Sequence, residues 1–321
     1  MKPFLLTPSF KDYLWGGERL RTEYHKQTDM IPLAESWELS CHPAGPSAAA
    51  SGLYAKRTLA EVLFLPEGKG ALGKRCERFE RFPILIKLID AAKALSIQVH
   101  PSDEYALANE NSYGKTEMWV VLDAAPDSYI YYGVARETAR EELRAAIENN
   151  TLETLLRRRP VKAGDVIFIP SGTIHAIGAG ILVAEVQQNS DLTYRVYDFG
   201  RLGADGKPRE LHVEKALAVA SLTPTEERPV GERVREGKGV FRTCLGECAY
   251  FRTELLELEG GVLEGRADGD TFRHLLCVDG EAEIRCGGES LPLRKGDGVF
   301  VPADAGRFEA VGSGRLMVSC V

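Results

Sequence analysis

A chain of 321 residues, 44% hydrophobic and 27% charged, has enough apolar content for one large or two medium buried cores, which excludes global disorder and coiled coil. Its 40 basic and 47 acidic residues leave a net charge of −7, so the molecule as a whole repels nucleic acid and anionic lipid, and an anionic ligand has to be met by a local cationic pocket. The longest apolar runs, such as Pro83 to Ile86 and Val166 to Pro170, fall far short of the ~20 residues that span a bilayer, so no membrane partner is expected.

The opening Met1-Lys2-Pro3-Phe4-Leu5-Leu6-Thr7-Pro8 breaks its short apolar run with proline and offers no small-residue cleavage site, so it does not read as a secretory signal. Seven cysteines are scattered, and only Cys244 and Cys248 lie close together. No second pair answers them as a zinc knuckle or disulfide framework requires, which points to a reducing cytoplasm. Gly68 to Lys74 spells a near P-loop, but Arg75 stands where a hydroxyl would hold Mg²⁺, so this segment is not expected to bind a nucleotide.

Glycines and prolines spread between short β-rich runs predict a mostly β fold. In chain order the expected strands are Pro83 to Ile89, Leu95 to His100, Glu117 to Leu122, Val166 to Ile169, Ile181 to Gln187, Leu192 to Tyr197, Leu275 to Val278 and Val299 to Pro302. Thr138 to Asn149, with Leu143 and Ile147 one helical turn apart, and Thr151 to Arg157, with its leucines, predict a small helical insertion at about 137–158. His212 to Ser221 reads as another helix. The prolines and charges after it suit a linker.

An internal repeat indicates duplication. Gly164-Asp165-Val166-Ile167-Phe168-Ile169-Pro170 recurs as Gly296-Asp297-Gly298-Val299-Phe300-Val301-Pro302. The expected organisation is a first, catalytic domain over 1–222, a linker over 223–236 and a degenerate copy over 237–321. Where the first copy continues Ser171-Gly172-Thr173-Ile174-His175, the second has Ala303-Asp304-Ala305-Gly306-Arg307, so it is expected to carry no metal site.

Residues that bear chemistry gather in the first copy. Alternation along Leu95 to His100 turns Ser96, Gln98 and His100 to one face and Leu95, Ile97 and Val99 to the other. Glu117 opens the next strand and shares a side with Trp119 and Val121. Gly164, Pro170, Gly172 and His175 then form a strand, a turn and a histidine at the start of another strand.

The spacing Gly-x5-Pro-x-Gly-x2-His resembles the second signature of the cupin β-barrel, and Gln98-x-His100 followed by Glu117 resembles a variant of the first. More narrowly, Ser96 to Pro101, Lys115 to Trp119, Ile169 to Ala176 and Tyr194 to Asp198, with the early Trp15-Gly16-Gly17 and Glu35 to Ser40, occur in the order seen in the type I mannose-6-phosphate isomerase family, in its short bacterial form. The chain departs from the general cupin pattern at Gln98, where histidine is usual, and at Ala179, where asparagine is.

The resemblance implies two cupin-type jelly-roll β-barrel units and one Zn²⁺ per chain, held by His100, Glu117 and His175. Gln98 is a weaker fourth ligand, because zinc prefers imidazole, thiolate and carboxylate to an amide oxygen. It further implies a cytoplasmic aldose-ketose isomerase acting on mannose 6-phosphate and fructose 6-phosphate through an enediol. Arg195 would stabilise negative charge or bind phosphate, with Lys115 as the second catalytic cation. The base remains open among Lys115, a water on the metal and a carboxylate such as Asp191. Two histidines and a carboxylate are also the triad of non-haem iron oxygenases, and a sugar-binding cupin regulator is a third reading. Oligomeric state is not legible.

Overall fold

The computed structural model describes residues 1–50, 52–202 and 206–321. Strands dominate and helices are few and short, as the turn-rich sequence predicts. Two compact units form, one from Met1–Tyr13, Glu18–Ile89 and Pro229–Val321, the other from Leu14–Gly17 and Asp90–Arg228.

These units do not follow the contiguous division at 1–222, 223–236 and 237–321, and the reason is long-range strand pairing. Phe4–Thr7 runs antiparallel to Gly298–Val301, with Phe4 opposite Phe300 and Leu6 opposite Gly298, so the first strand of the chain joins a sheet built largely from its last residues. Part of the expected linker is also regular, because Val234–Gly237 is a strand paired with Val240–Glu247. The insertion is corrected too. Helix Arg140–Glu148 buries Leu143 and Ile147 as its periodicity predicts, but after a single turn at Leu152–Thr154 the chain enters a strand, Leu156–Pro160, alongside Tyr129–Val134. There the guanidiniums of Arg157 and Arg158 lie 4.8 and 3.7 Å from the rings of Tyr132 and Tyr129, a cross-strand contact that outweighs local leucine spacing.

In the first unit, Arg252–Ala267 and Gly306–Cys320 pair along their whole length within a nine-stranded sheet. Leu256, Leu275, Cys277, Ile284, Val299 and Phe308 belong to the core on one face of it; each large apolar side chain buried this way contributes about 1.5–3 kcal/mol. The sheet paths end at edge strands, so the cupin-type jelly roll is realised as open sheets without a closed barrel. The near P-loop is spent on structure. Backbone N–H groups of Lys74 and Arg75 donate to the carbonyls of Gly269 and Asp270 at 3.0 and 2.9 Å, which removes the donors a phosphate would need.

The duplicated motif folds the same way twice. Gly164 and Gly296 adopt φ of +90° and +96°, a region that glycine enters at little cost. The next residue's carboxylate, Asp165 or Asp297, accepts from the backbone N–H of Lys162 or Arg294 at 3.2 and 3.1 Å. Each turn feeds a buried strand, Val166–Ile169 and Gly298–Val301.

The second unit carries a five-stranded sheet in the order Tyr194–Tyr197, Ile97–Val99, His175–Ile177, Tyr129–Val134, Leu156–Pro160. Ile97, Val99, Ile174 and Val196 pack with Leu143, Ile147 and Leu217 of helices Arg140–Glu148 and Val213–Val219. The opposite face turns toward Glu117–Ala124, where the Trp119 ring lies 5.4 Å from the His175 ring. Among the described residues no helix is long and apolar enough to cross a membrane.

Candidate metal centre

With Ile97 and Val99 committed to the helix-covered core, the pleat turns Gln98 to the other face. Gln98 stands opposite His175 on one neighbouring strand and opposite Arg195 on the other. Directly opposed residues of antiparallel strands share a face, so these three side chains line one wall. His100 follows, and its carbonyl accepts from the Gly172 N–H at 2.8 Å. Gly172, at φ +86°, makes the turn that ties the two histidine segments together.

The triad is almost sealed from solvent: His100 is 1% exposed, and Glu117 and His175 are 0%. The His100 Nδ1 lies 2.9 Å from the Leu192 carbonyl, and the His175 Nδ1 lies 2.8 Å from the Thr173 carbonyl. A carbonyl only accepts, so each ring carries its proton on Nδ1 and directs an Nε2 lone pair inward. The His175 Nε2 is 3.2 Å from Glu117 Oε1 and the His100 Nε2 is 3.6 Å from Glu117 Oε2. Neither nitrogen has a hydrogen to give, and Glu117 Oε1 has no hydrogen-bond donor among the described residues.

Three electron-pair donors facing one another in a buried place fit a cation, and one donor atom from each residue falls within 4.8 Å of the others. Two imidazole nitrogens and a carboxylate form a ligand set that suits a divalent transition metal. Electrostatics agree with this arrangement. Burial, followed by the charge of Lys115, holds the His100 pKa well below its usual value and keeps the ring neutral. Burial alone would raise the Glu117 carboxyl, but the charge of Lys115 beside it holds it well below the ordinary carboxylate range.

Lys115, 4% exposed, is an interior cation and not a solvated surface charge. Its Nζ makes a short contact with Glu117 and lies 3.2 Å from the His100 Nε2. Gln98 Nε2 lies 3.5 Å from the His175 Nε2, at the rim of the triad. Arg195 donates from Nε to Ser96 Oγ at 3.3 Å and from Nη1 to the Glu210 carbonyl at 3.1 Å. No carboxylate pairs with it among the described residues. Asp191 is solvent-exposed, unlike the buried triad.

Sequence reasoning missed Glu185. It stands opposite Trp119 in the Ile181–Gln188 strand, accepts from Trp119 Nε1 at 2.8 Å, and presents Oε1 3.9 Å from Lys115 Nζ. The available signal was a lone acid amid the apolar run Ile181 to Val186, since a carboxylate inside a buried strand requires partners.

Comparison with known proteins places this geometry in a family. Residues 4–129 match the family described as phosphomannose isomerase type I, catalytic domain, and residues 242–321 match the mannose-6-phosphate isomerase cupin domain. Mannose-6-phosphate isomerase ManA of Bacillus subtilis is 38% identical over 319 residues, covering 99% of this chain and 98% of its own. A mannose-6-phosphate isomerase of Streptococcus mutans is 36% identical, covering 94% of this chain and 92% of its own. The crystal structure of a mannose 6-phosphate isomerase from Bacillus subtilis superposes with a TM-score of 0.91 at 36% identity, covering 100% of both chains. Similarity of this degree, along essentially the whole length, means that the chain belongs to the type I phosphomannose isomerase family.

Proposed function

We propose that this protein is a zinc-dependent aldose-ketose isomerase that interconverts mannose 6-phosphate and fructose 6-phosphate, with one ion per chain held by His100, Glu117 and His175. The single observation that carries the metal reading is the convergence of two Nε2 lone pairs on a buried carboxylate. The substrate follows from the family. When bound, zinc supplies a Lewis acid for the sugar's C1 and C2 oxygens, which eases removal of the proton that moves between those carbons.

The chain's own residues do the rest. The Leu192 and Thr173 carbonyls hold the two rings in one tautomer, and the walls around Glu117 exclude water. Lys115, whose Nζ stands within the triad, handles a proton at the reacting end of the sugar. Arg195 binds the anionic part of the substrate through its guanidinium fork. The residues after Gly296 are assigned a supporting role, since exposed Arg307 stands where the first copy has His175. All seven cysteines are free, which agrees with a cytoplasmic enzyme.

A coupled isomerase assay with elemental analysis tests the proposal. One equivalent of zinc per chain and turnover lost on chelation and restored by zinc are expected. Full turnover after metal removal, or two tightly held equivalents, would sink it. Iron content with oxygen uptake would favour the oxygenase reading, although a neutral substrate has no use for a buried ammonium and a guanidinium lacking a carboxylate partner.

Gln98 ranks below the triad as a ligand, because an amide brings no charge. Gln98→Ala is expected to retain most of its zinc while losing about 10–100-fold in turnover through a misplaced substrate. A metal-free Gln98→Ala protein would reverse that ranking.

A further inference from the structure

Past Arg195, the same edge strand leads to a second charged cluster. Asp198, 6% exposed, follows the Tyr194–Tyr197 strand and takes two guanidiniums on one carboxylate. Arg209 grips it with two prongs, Nε to Oδ2 at 2.7 Å and Nη2 to Oδ1 at 2.5 Å. Arg201 donates from Nε to Oδ1 at 3.1 Å, makes a short contact through Nη2, and spends Nη1 on the Ala94 carbonyl at 2.6 Å. The Nη1 group of Arg209 has no partner among the described residues.

The backbone ties this cluster to Arg195. Arg195 Nη1 donates to the Glu210 carbonyl at 3.1 Å, the Arg195 N–H donates to His212 Nδ1 at 3.2 Å, and the Arg195 carbonyl accepts from the His212 N–H at 2.8 Å. Arg209 is therefore held one residue from the contact that fixes Arg195. Three guanidiniums share the Asp198 carboxylate and the exposed Glu210 carboxylate, which leaves a local excess of positive charge in a half-buried place. Burial, and then the charge of Arg209, lower the basicity of Arg195, a sign of crowding that an anion would relieve.

Position matches need. Arg195 lies beyond Gln98 from His175, two interstrand spacings or about 10 Å away. That is the scale of the separation between the reacting carbons and the phosphate of a six-carbon sugar phosphate.

We infer that Asp198 is a positioning residue that presents the Nη1 edge of Arg209, beside Arg195, to the substrate's phosphate, which makes Arg209 a determinant of preference for phosphorylated sugars. The inference rests on the isomerase reading above. Without Asp198, Arg209 loses the two-pronged contact that sets its plane and is repelled by its cationic neighbours.

The test uses zinc-loaded Asp198→Asn, Arg209→Gln and Arg209→Lys, read by kcat, KM, inhibition by inorganic phosphate, calorimetric titration with inorganic phosphate, and metal content. Arg209→Gln is expected to raise KM and weaken phosphate inhibition together by about tenfold or more. Its kcat should stay within about twofold, with zinc unchanged. Asp198→Asn should shift the same quantities, the double variant should be no worse than the worse single one, and Arg209→Lys should recover little.

Unchanged KM and phosphate affinity in Arg209→Gln would overturn the inference. So would an Asp198→Asn protein that loses thermal stability alone. If Asp198→Asn fails to fold, Arg209→Gln decides, since that side chain is 33% exposed and no core depends on it. If the unaltered protein has no turnover on mannose 6-phosphate, the isomerase reading has failed, and the phosphate titration of Arg209→Gln against the unaltered protein still decides the anion site. Normal turnover with no phosphate binding would sink this inference while leaving the isomerase reading intact.

Discussion

His175→Ala is expected to purify with little or no zinc and to lose more than about a hundredfold in kcat/KM, exceeding the effect of disturbing an outer partner of a ligand. In the proposed site only three ligands would hold the ion, and the removed imidazole is fully buried with its proton pinned to the Thr173 carbonyl, so no side chain from solvent replaces it. The fold should survive. The turn that carries His175 is closed by backbone bonds, Gly172 N–H to the His100 carbonyl at 2.8 Å and Thr173 N–H to the Pro170 carbonyl at 3.1 Å, and neither involves the imidazole. Circular dichroism together with elemental analysis checks both halves. Retained zinc and turnover would remove His175 from the site, while loss of strand signal would mean that the ion supports folding as well.

Arg195→Ala is expected to keep its zinc and to lose about 10²–10³-fold in kcat/KM, the scale of deleting one preorganised donor from an anionic transition state. The charge argument begins with the whole chain. A molecule at −7 binds a phosphate dianion only through fixed local cations, and Arg195 is a half-buried one on the Gln98 and His175 face without a carboxylate partner. Arg195→Lys should recover little, because a point charge cannot hold Ser96 Oγ and the Glu210 carbonyl while also offering a flat pair of donors to an oxyanion. Metal content, kcat/KM and thermal midpoint on the same preparations separate the outcomes. Normal kinetics would reduce Arg195 to a structural link between its strand and the segment at Glu210, and would leave Lys115 as the cation acting on the substrate.

Local spacing by itself singled out Gln98, His100 and His175 as candidates, and their reading as a ligand set with Glu117 came from the family resemblance. The alternation around Gln98 and His100 and the interval from Gly164 to His175 are short-range patterns set by pleat and turn geometry, and Val166–Ile169 is a strand over the very residues expected. Helix Val213–Val219 and the burial of Leu143 and Ile147 were legible for the same reason, since helical periodicity is written within a few turns. The first strand's place against Gly298–Val301 was not, because pairing across nearly the whole chain leaves no mark within either segment. Thr151 to Arg157 reads as helix because Leu152, Leu155 and Leu156 are spaced for one, whereas from Leu156 the chain is a strand whose arginines find better partners in the neighbouring strand's aromatic rings. The tertiary structure alone decided that Lys115 is an interior cation, that Glu185 faces it, and that Asp198 gathers Arg201 and Arg209. Each of these depends on which strand lies beside which, and a charged residue becomes a buried one only when another part of the chain covers it.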